Sequence, residues 1–341
     1  MPCYVKSGKH PAVRSLAMRV TPRPLRRQMA RLLLLSLAVC FFAAPAHARI
    51  SLEALRRDGY GMVELHRPQP NVLTVAATIN GRKARLIVDT GWSGQGITVG
   101  GDYAKVLRSP VQGVNRFGRS AGGHELGGFR KGVADTVSMG NVQMRQVPLF
   151  FGTLGSLQHA HVRQNVGADG FLGSGFLQTC SAVIDLHNLR LYLRPPGTGR
   201  RAMIGNAMRA QGLAEVPFAI IETNCLVPVE INGTAGIMFV DTGASLAGVD
   251  ERFITQIKAK ALPSRVRSID AAGVERSSKL AQLRSFRIAG VNVRAPDLRT
   301  SRFGFYDRTR GKVIGLLGMD ILGRNGTIID FGQKRLYFYP L

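Results

Sequence analysis

The sequence predicts an all-β protein of two homologous lobes with little helix. Three observations carry that expectation: a repeat over most of the chain, short β-branched runs closed by Asn-Gly, and two apolar runs feeding the same tripeptide. Ile79-Asn80-Gly81 recurs as Ile231-Asn232-Gly233, Val88-Asp89-Thr90-Gly91 as Val240-Asp241-Thr242-Gly243, and Ser93 as Ser245, all at an offset of 152 residues. Further on, Gly170-Phe171-Leu172-Gly173 matches Gly315-Leu316-Leu317-Gly318. Ile184-Asp185 matches Ile329-Asp330, and Arg190-Leu191-Tyr192 matches Arg335-Leu336-Tyr337, now at an offset of 145. Order is kept, and the drift of seven residues falls in the variable stretch between. Chance is a poor explanation for that.

Each copy reads mostly as strand. Val72–Ile79 and residues 226–231 are β-branched runs that end in an Asn-Gly turn signal. Leu86-Ile87-Val88 and Met238-Phe239-Val240 follow, continuous apolar runs suited to strands buried on both faces. Residues 189–193 and 335–339 close the copies as strands. Short helices are expected near 102–107 and 251–258, and others starting at 173–177 and 319–322. Pro195-Pro196-Gly197-Thr198-Gly199 reads as a connection between halves. The expected organisation is a leader over 1–48, a first lobe over 49–194, a linker over 195–210 and a second lobe over 211–341, each lobe of ordinary domain size.

The leader rests on three features. Residues 1–31 carry eight basic and no acidic residues, an apolar run covers 32–44, and Ala46-His47-Ala48 is a small-x-small cleavage site. Together these make a secretory signal peptide with Arg49 as first mature residue, and the run is too short to span a bilayer comfortably. The expected location is periplasmic or secreted. The whole chain has a net charge of +25. Its removal takes eight of 46 basic residues and none of 21 acidic ones, leaving +17. That excess implies weak attraction to anionic envelope surfaces. No basic-aromatic interleaving of a single-strand binder is present, so nucleic acid is not an expected partner. Cys180 and Cys225 remain after cleavage, and their spacing leaves a disulfide open.

A lone Asp-Thr-Gly signals little. P-type ATPases carry a similar tripeptide, but with a Lys after the Asp, which neither copy has. Two copies, each behind an apolar run and each followed some 75–80 residues later by apolar-Leu-Gly, are specific. Here the chain resembles the aspartic peptidases of the pepsin and retroviral-protease clan, from about Gly61 to Leu341. The second copy is most similar to the retroviral type, while both lobes in one chain resemble pepsin. The resemblance implies two closed, barrel-like lobes around a central cleft, with Asp89 and Asp241 as the catalytic pair. Two carboxyls sharing one proton supply both an acid and a base for amide hydrolysis. Gly91 and Gly243 let backbone approach the carboxyls without a Cβ in the way. Thr90 and Thr242, the resemblance implies, hydrogen-bond across the pseudo-twofold to the opposite lobe. Gly173 and Gly318 would lie in loops beneath the pair. Asp185 and Asp330 would be strand-end carboxylates, and Asp320, matched by Gly175, is not a member of the pair.

Gly122 and Gly123, with Ala272 and Gly273, occupy equivalent places and are the candidate flap tips over substrate. Trp92 departs from the family, which has Ala or Ser there. An indole at that point would narrow the cleft or pack beneath it. His159-Ala160-His161 lacks a third ligand in recognisable spacing and reads as a surface loop. No metal or organic cofactor is implied, and no Ser-His-Asp signature, phosphate loop or dinucleotide fingerprint is present. The expected function is an exported endopeptidase, active as a monomer on peptide or protein substrate. The competing class is a pseudo-protease that keeps the cleft to hold peptide or envelope polymer. Both aspartates favour the enzyme, and Trp92 keeps the alternative open.

Overall fold

Each copy begins with a hairpin specified by its tip. Asn80 and Gly81 have φ of 45° and 84°, and Asn232 and Gly233 have 51° and 85°. Two successive left-handed residues make the tight turn whose twist matches that of the flanking strands. Asn tolerates this conformation better than other side-chain-bearing residues, and Gly tolerates it freely. Both asparagines also tie the tip down. Asn80 Oδ1 accepts the Thr136 amide at 2.9 Å, and Asn232 Oδ1 accepts that of Arg284 at 2.7 Å. The computed structural model describes residues 52–107, 111–114, 120–158 and 160–341. The leader expected over 1–48, together with His159 and the side chain of His161, lies outside the described residues.

From these hairpins the two halves build similar sheets. Val72–Ile79 pairs with Arg82–Asp89, which runs parallel to Gly170–Gly173 with Asp89 opposite Gly173. In the second half, Asn224–Ile231 pairs with Thr234–Val240, which runs parallel to Val313–Leu317 with Val240 opposite Leu317. The first sheet returns on itself through Thr78 and Ser138 and closes a six-stranded barrel. The second curls into half a barrel. Helix is confined to short pieces, among them Ser174–Thr179 and Met319–Leu322. Gly173 differs from the expectation of a loop, because it ends a strand, whereas Gly318 belongs to neither Val313–Leu317 nor Met319–Leu322 and joins the two. A Cβ on Gly173 would meet the Trp92 carbonyl at 2.5 Å, so this strand end demands glycine.

A six-stranded sheet joins the halves, three strands from each: Gly61–Glu64, Arg190–Leu193, Val183–Asp185, Ile328–Asp330, Arg335–Phe338 and Ala214–Pro217. At its centre the strands that carry the two repeated Ile-Asp pairs lie side by side, with Ile184 opposite Ile329 in antiparallel register. Both isoleucines are fully buried, and one apolar core runs through both lobes. Residues 195–210, expected as a linker, include helix Gly205–Ala210, whose Met208 is buried against Leu55 and Tyr60. Cys180 and Cys225 are buried, separate thiols within the shared core.

Asp185 and Asp330 sit at strand ends. Asp185 Oδ1 accepts the amides of His187 and Asn188 at 3.1 and 2.9 Å, and Oδ2 accepts Asn188 Nδ2 at 2.7 Å. Asp330 Oδ1 accepts the Gln333 amide at 2.9 Å, and burial pushes its carboxyl up to about 6. Asp185→Ala removes a buried carboxylate that accepts three hydrogen bonds from the turn at His187 and Asn188, at a cost of about 1–3 kcal/mol. The variant should unfold at a lower denaturant concentration while its folded fraction turns over as the parent does. An unchanged midpoint would show that the turn holds without this carboxylate.

Candidate active site

The parallel pairings bring the ends of Arg82–Asp89 and Thr234–Val240 to one point between the lobes. There the two Asp-Thr-Gly segments interlock. Thr90 Oγ1 donates to the Val240 carbonyl at 2.6 Å and accepts the Thr242 amide at 2.9 Å. Thr242 Oγ1 donates to the Val88 carbonyl at 2.8 Å and accepts the Thr90 amide at 3.1 Å. Both threonines are fully buried, so each hydroxyl uses its donor and an acceptor where water cannot replace them. The sequence-based expectation of bonds across the pseudo-twofold is met from both sides.

The carboxyls are held just as symmetrically. Asp89 Oδ1 accepts the amides of Gly91 and Trp92 at 2.9 and 3.0 Å, and Asp241 Oδ1 accepts those of Gly243 and Ala244 at 2.9 and 3.0 Å. The glycines are required by proximity. A Cβ on Gly91 would stand 2.5 Å from Asp241 Cγ, and one on Gly243 would collide with the Asp89 carboxyl. Burial, with the charge of Asp241 next, raises the Asp89 carboxyl well above the ordinary range. Burial also raises Asp241, opposed by the amides that hold it and by the Arg299 charge. Asp320 stands apart from the pair, as expected, and its Oδ1 accepts the Ala247 amide at 2.7 Å.

The pair opens into a cleft of about 1260 Å³ lined by both lobes. Trp92 forms part of its wall. The indole stacks on Phe171 with centroids 4.6 Å apart, meets Phe129 edge-on, and donates Nε1–H to Thr98 Oγ1 at 2.8 Å. The candidate flap tips come together. Gly123 and Gly273 take φ of 87° and 84° in turns at 120–124 and 270–274, and Gly122 lines the cleft. Ala272 meets the first lobe at Gly155, whose Cβ, if it had one, would meet the Ala272 carbonyl.

Sequence reasoning missed what ties the tips to each other. Asp270 Oδ1 accepts the amides of Ala272 and Val274, both at 3.0 Å, which shapes its own turn. Its Oδ2 accepts Ser120 Oγ at 2.8 Å and lies 2.7 Å from His124 Nδ1. Arg276 donates to the Gly122 carbonyl at 3.3 Å. Burial works to raise Asp270, but the bonds from His124 and Ser120 hold its carboxyl below the ordinary range. No signal in the repeat points to these residues. Arg299 was also missed. It pairs with Gly248 in a strand whose first-lobe counterpart, facing Thr98, places Phe150 at the same point.

A family model described as Aspartyl protease matches residues 75–176 and 227–321, more than half of the chain. The chain belongs to the aspartyl protease family. Among solved structures, an aspartic proteinase from Irpex lacteus is similar at 14% identity and a TM-score of 0.48, over 82% of this chain and 97% of that one. No curated protein matches.

In this aspartyl protease the raised carboxyl links stability to pH. Folded Asp89 keeps a proton that the unfolded chain, at an ordinary value of 3.8, releases. Its contribution is therefore most favourable below that value and declines as pH rises towards the folded one. Asp89→Asn removes the decline. The variant should melt above the parent at pH 7, with the difference shrinking towards pH 3. Parallel melting curves at every pH would mean that this carboxyl gains no proton on folding.

Proposed function

We propose that the chain is an exported aspartic endopeptidase, cutting internal bonds of extended polypeptides with a water activated between Asp89 and Asp241. One observation carries the reading: two carboxyls meet at the floor of an open cleft, each with one oxygen pinned by two backbone amides. The other oxygens face each other and the cleft. Such a pair holds one proton between its members, as aspartic proteases do generally, and titrates as a unit. The Arg299 charge favours the ionised form of Asp241, so Asp89 keeps the proton and acts as the acid. Asp241 takes a proton from the water as its oxygen attacks the peptide carbonyl, and Asp89 protonates the carbonyl oxygen. The C–N bond of the resulting tetrahedral species then breaks, with a proton passing to nitrogen. No residue forms a covalent intermediate.

Substrate enters as an extended strand beneath the tips at Gly122, Gly123, Ala272 and Gly273, which exclude water during the reaction. Those tips are held together by the Asp270 contacts, so entry requires them to part. The leader over 1–48 directs export, and the mature +17 charge favours weak contact with anionic envelope polymer. Both halves of the pair are in one chain, which supports activity as a monomer.

Asp89→Asn and Asp241→Asn should each abolish hydrolysis, and the double variant should be no worse than either, because residues acting as a unit are not additive. Kinetics on a peptide cut by the parent, with melting curves as folding control, measure this. Near-normal activity in Asp89→Asn alone would sink the shared-pair reading. Specific activity should also stay constant on dilution through the nanomolar range, whereas a steep loss would mean that two chains build the site. N-terminal sequencing of protein from fractionated cells should begin near Arg49. An intact leader would refute export by cleavage.

A further inference from the structure

The two lobes share a plan, but the cleft walls they present have different chemistry. The first lobe contributes Trp92, Leu126, Phe129, Val162 and Phe171, and among its described residues the only titratable side chain in the lining is Asp89. The second lobe contributes Arg267, Arg276, Arg299 and Arg302. Of these, Arg267 is paired with Glu275 at 3.0 Å. Arg276 spends its donors on the carbonyls of Gly122 and Arg302 and on His124 Nε2. Among the described residues, neither Arg299 nor Arg302 has a carboxylate within ion-pair distance. On the acidic side, Asp270 is taken by His124, which leaves only exposed Glu222 beyond the pair itself. The second-lobe wall therefore carries an unneutralised excess of arginine.

Arg299 is the deepest of them. Its Nε is buried and has no hydrogen-bond partner among the described residues. A buried, charged donor left unmade is costly, and a carboxylate is the acceptor that fits a guanidinium fork in two parallel bonds. Burial also holds this guanidinium below its ordinary value, with the carboxyls of Asp320 and Asp241 opposing the shift. No described residue of the first lobe mirrors this charge, since Phe150 occupies the equivalent place. The reverse holds beside the aspartates, where Trp92 of the first lobe is matched by Ala244 of the second.

We propose that the second-lobe wall, centred on Arg299, selects an acidic side chain on one side of the scissile bond, while the Trp92 wall takes an apolar or aromatic side chain on the other. The proposal rests on the cleft being a peptidase site, and its test separates the two. Two peptides are used, alike except for Glu or Gln beside the residue next to an aromatic side chain, each made in both orders along the chain. Affinity is measured on the Asp89→Asn protein, where turnover does not interfere. In one of the two orders the Glu peptide should bind about ten-fold more tightly than the Gln peptide, and the advantage should shrink with added salt. Arg299→Gln in the same background should make the two equal. If that variant does not fold, the Glu/Gln ratio in the Arg299-containing protein, and its fall in the Arg302→Gln variant, decide. Equal affinities in both orders, no binding of a Glu peptide, or a Glu advantage that survives loss of both Arg299 and Arg302 would overturn the proposal. Cleavage by the parent is read separately. Selective binding without cleavage keeps the selectivity and removes the peptidase, whereas cleavage of both peptides at equal rates does the opposite.

Discussion

The reciprocal bonds of Thr90 and Thr242 are the constraint on which the rest of the site depends. Each hydroxyl donates to a carbonyl of the opposite strand and accepts an amide of the opposite threonine. Neither lobe can satisfy its own buried threonine. The geometry is therefore a property of the joined lobes, and any shift of one against the other breaks four bonds at once. The six-stranded sheet gives this joint its depth, because Ile184 and Ile329 meet at its centre while the threonines interlock above. Between them the two features leave the aspartates almost no freedom to separate.

On that near-symmetric frame lie a few asymmetries, and they are concentrated around the carboxyls. Trp92 stands where the second copy has Ala244, Arg299 where the first has Phe150, and Asp320 where the first has Gly175. Two carboxyls in equivalent surroundings would hold a shared proton with equal preference. Arginine on one side and an indole on the other break that equivalence, by charge on the Asp241 side and by desolvation on the Asp89 side. Divergence after duplication has thus left the backbone of the site alone and altered the field across it.

Much of this was legible because duplication writes the same local chemistry twice. The Asn-Gly tips, the buried strands and the Asp-Thr-Gly segments each depend on neighbours within a few residues, and their repetition separated them from background. What was not legible depends on contacts between distant segments without a repeated counterpart. Asp270 reaches His124 and Ser120 across some 150 residues, and no local pattern marks an aspartate in a glycine-bearing turn as a cross-cleft partner. Arg299 looked like one basic residue among many in a strongly basic chain, since burial is what distinguishes it. Trp92 was visible as a departure, but its direction is set by Phe171 and Thr98, which a sequence does not place beside it.

The two cysteines carry a consequence for how the molecule meets oxidants. Cys180 and Cys225 are walled into the common core, and burial pushes both thiols up to about 12. At neutral pH almost none of either is thiolate, which is the form that attacks disulfides, peroxides and electrophiles. Neither sulfur is reachable from solvent while the fold persists. Among the described residues there is no disulfide to form or reshuffle, and glutathione of either redox state finds neither of these sulfurs. The halves are joined, among the described residues, by packing and hydrogen bonds, without a covalent cross-link.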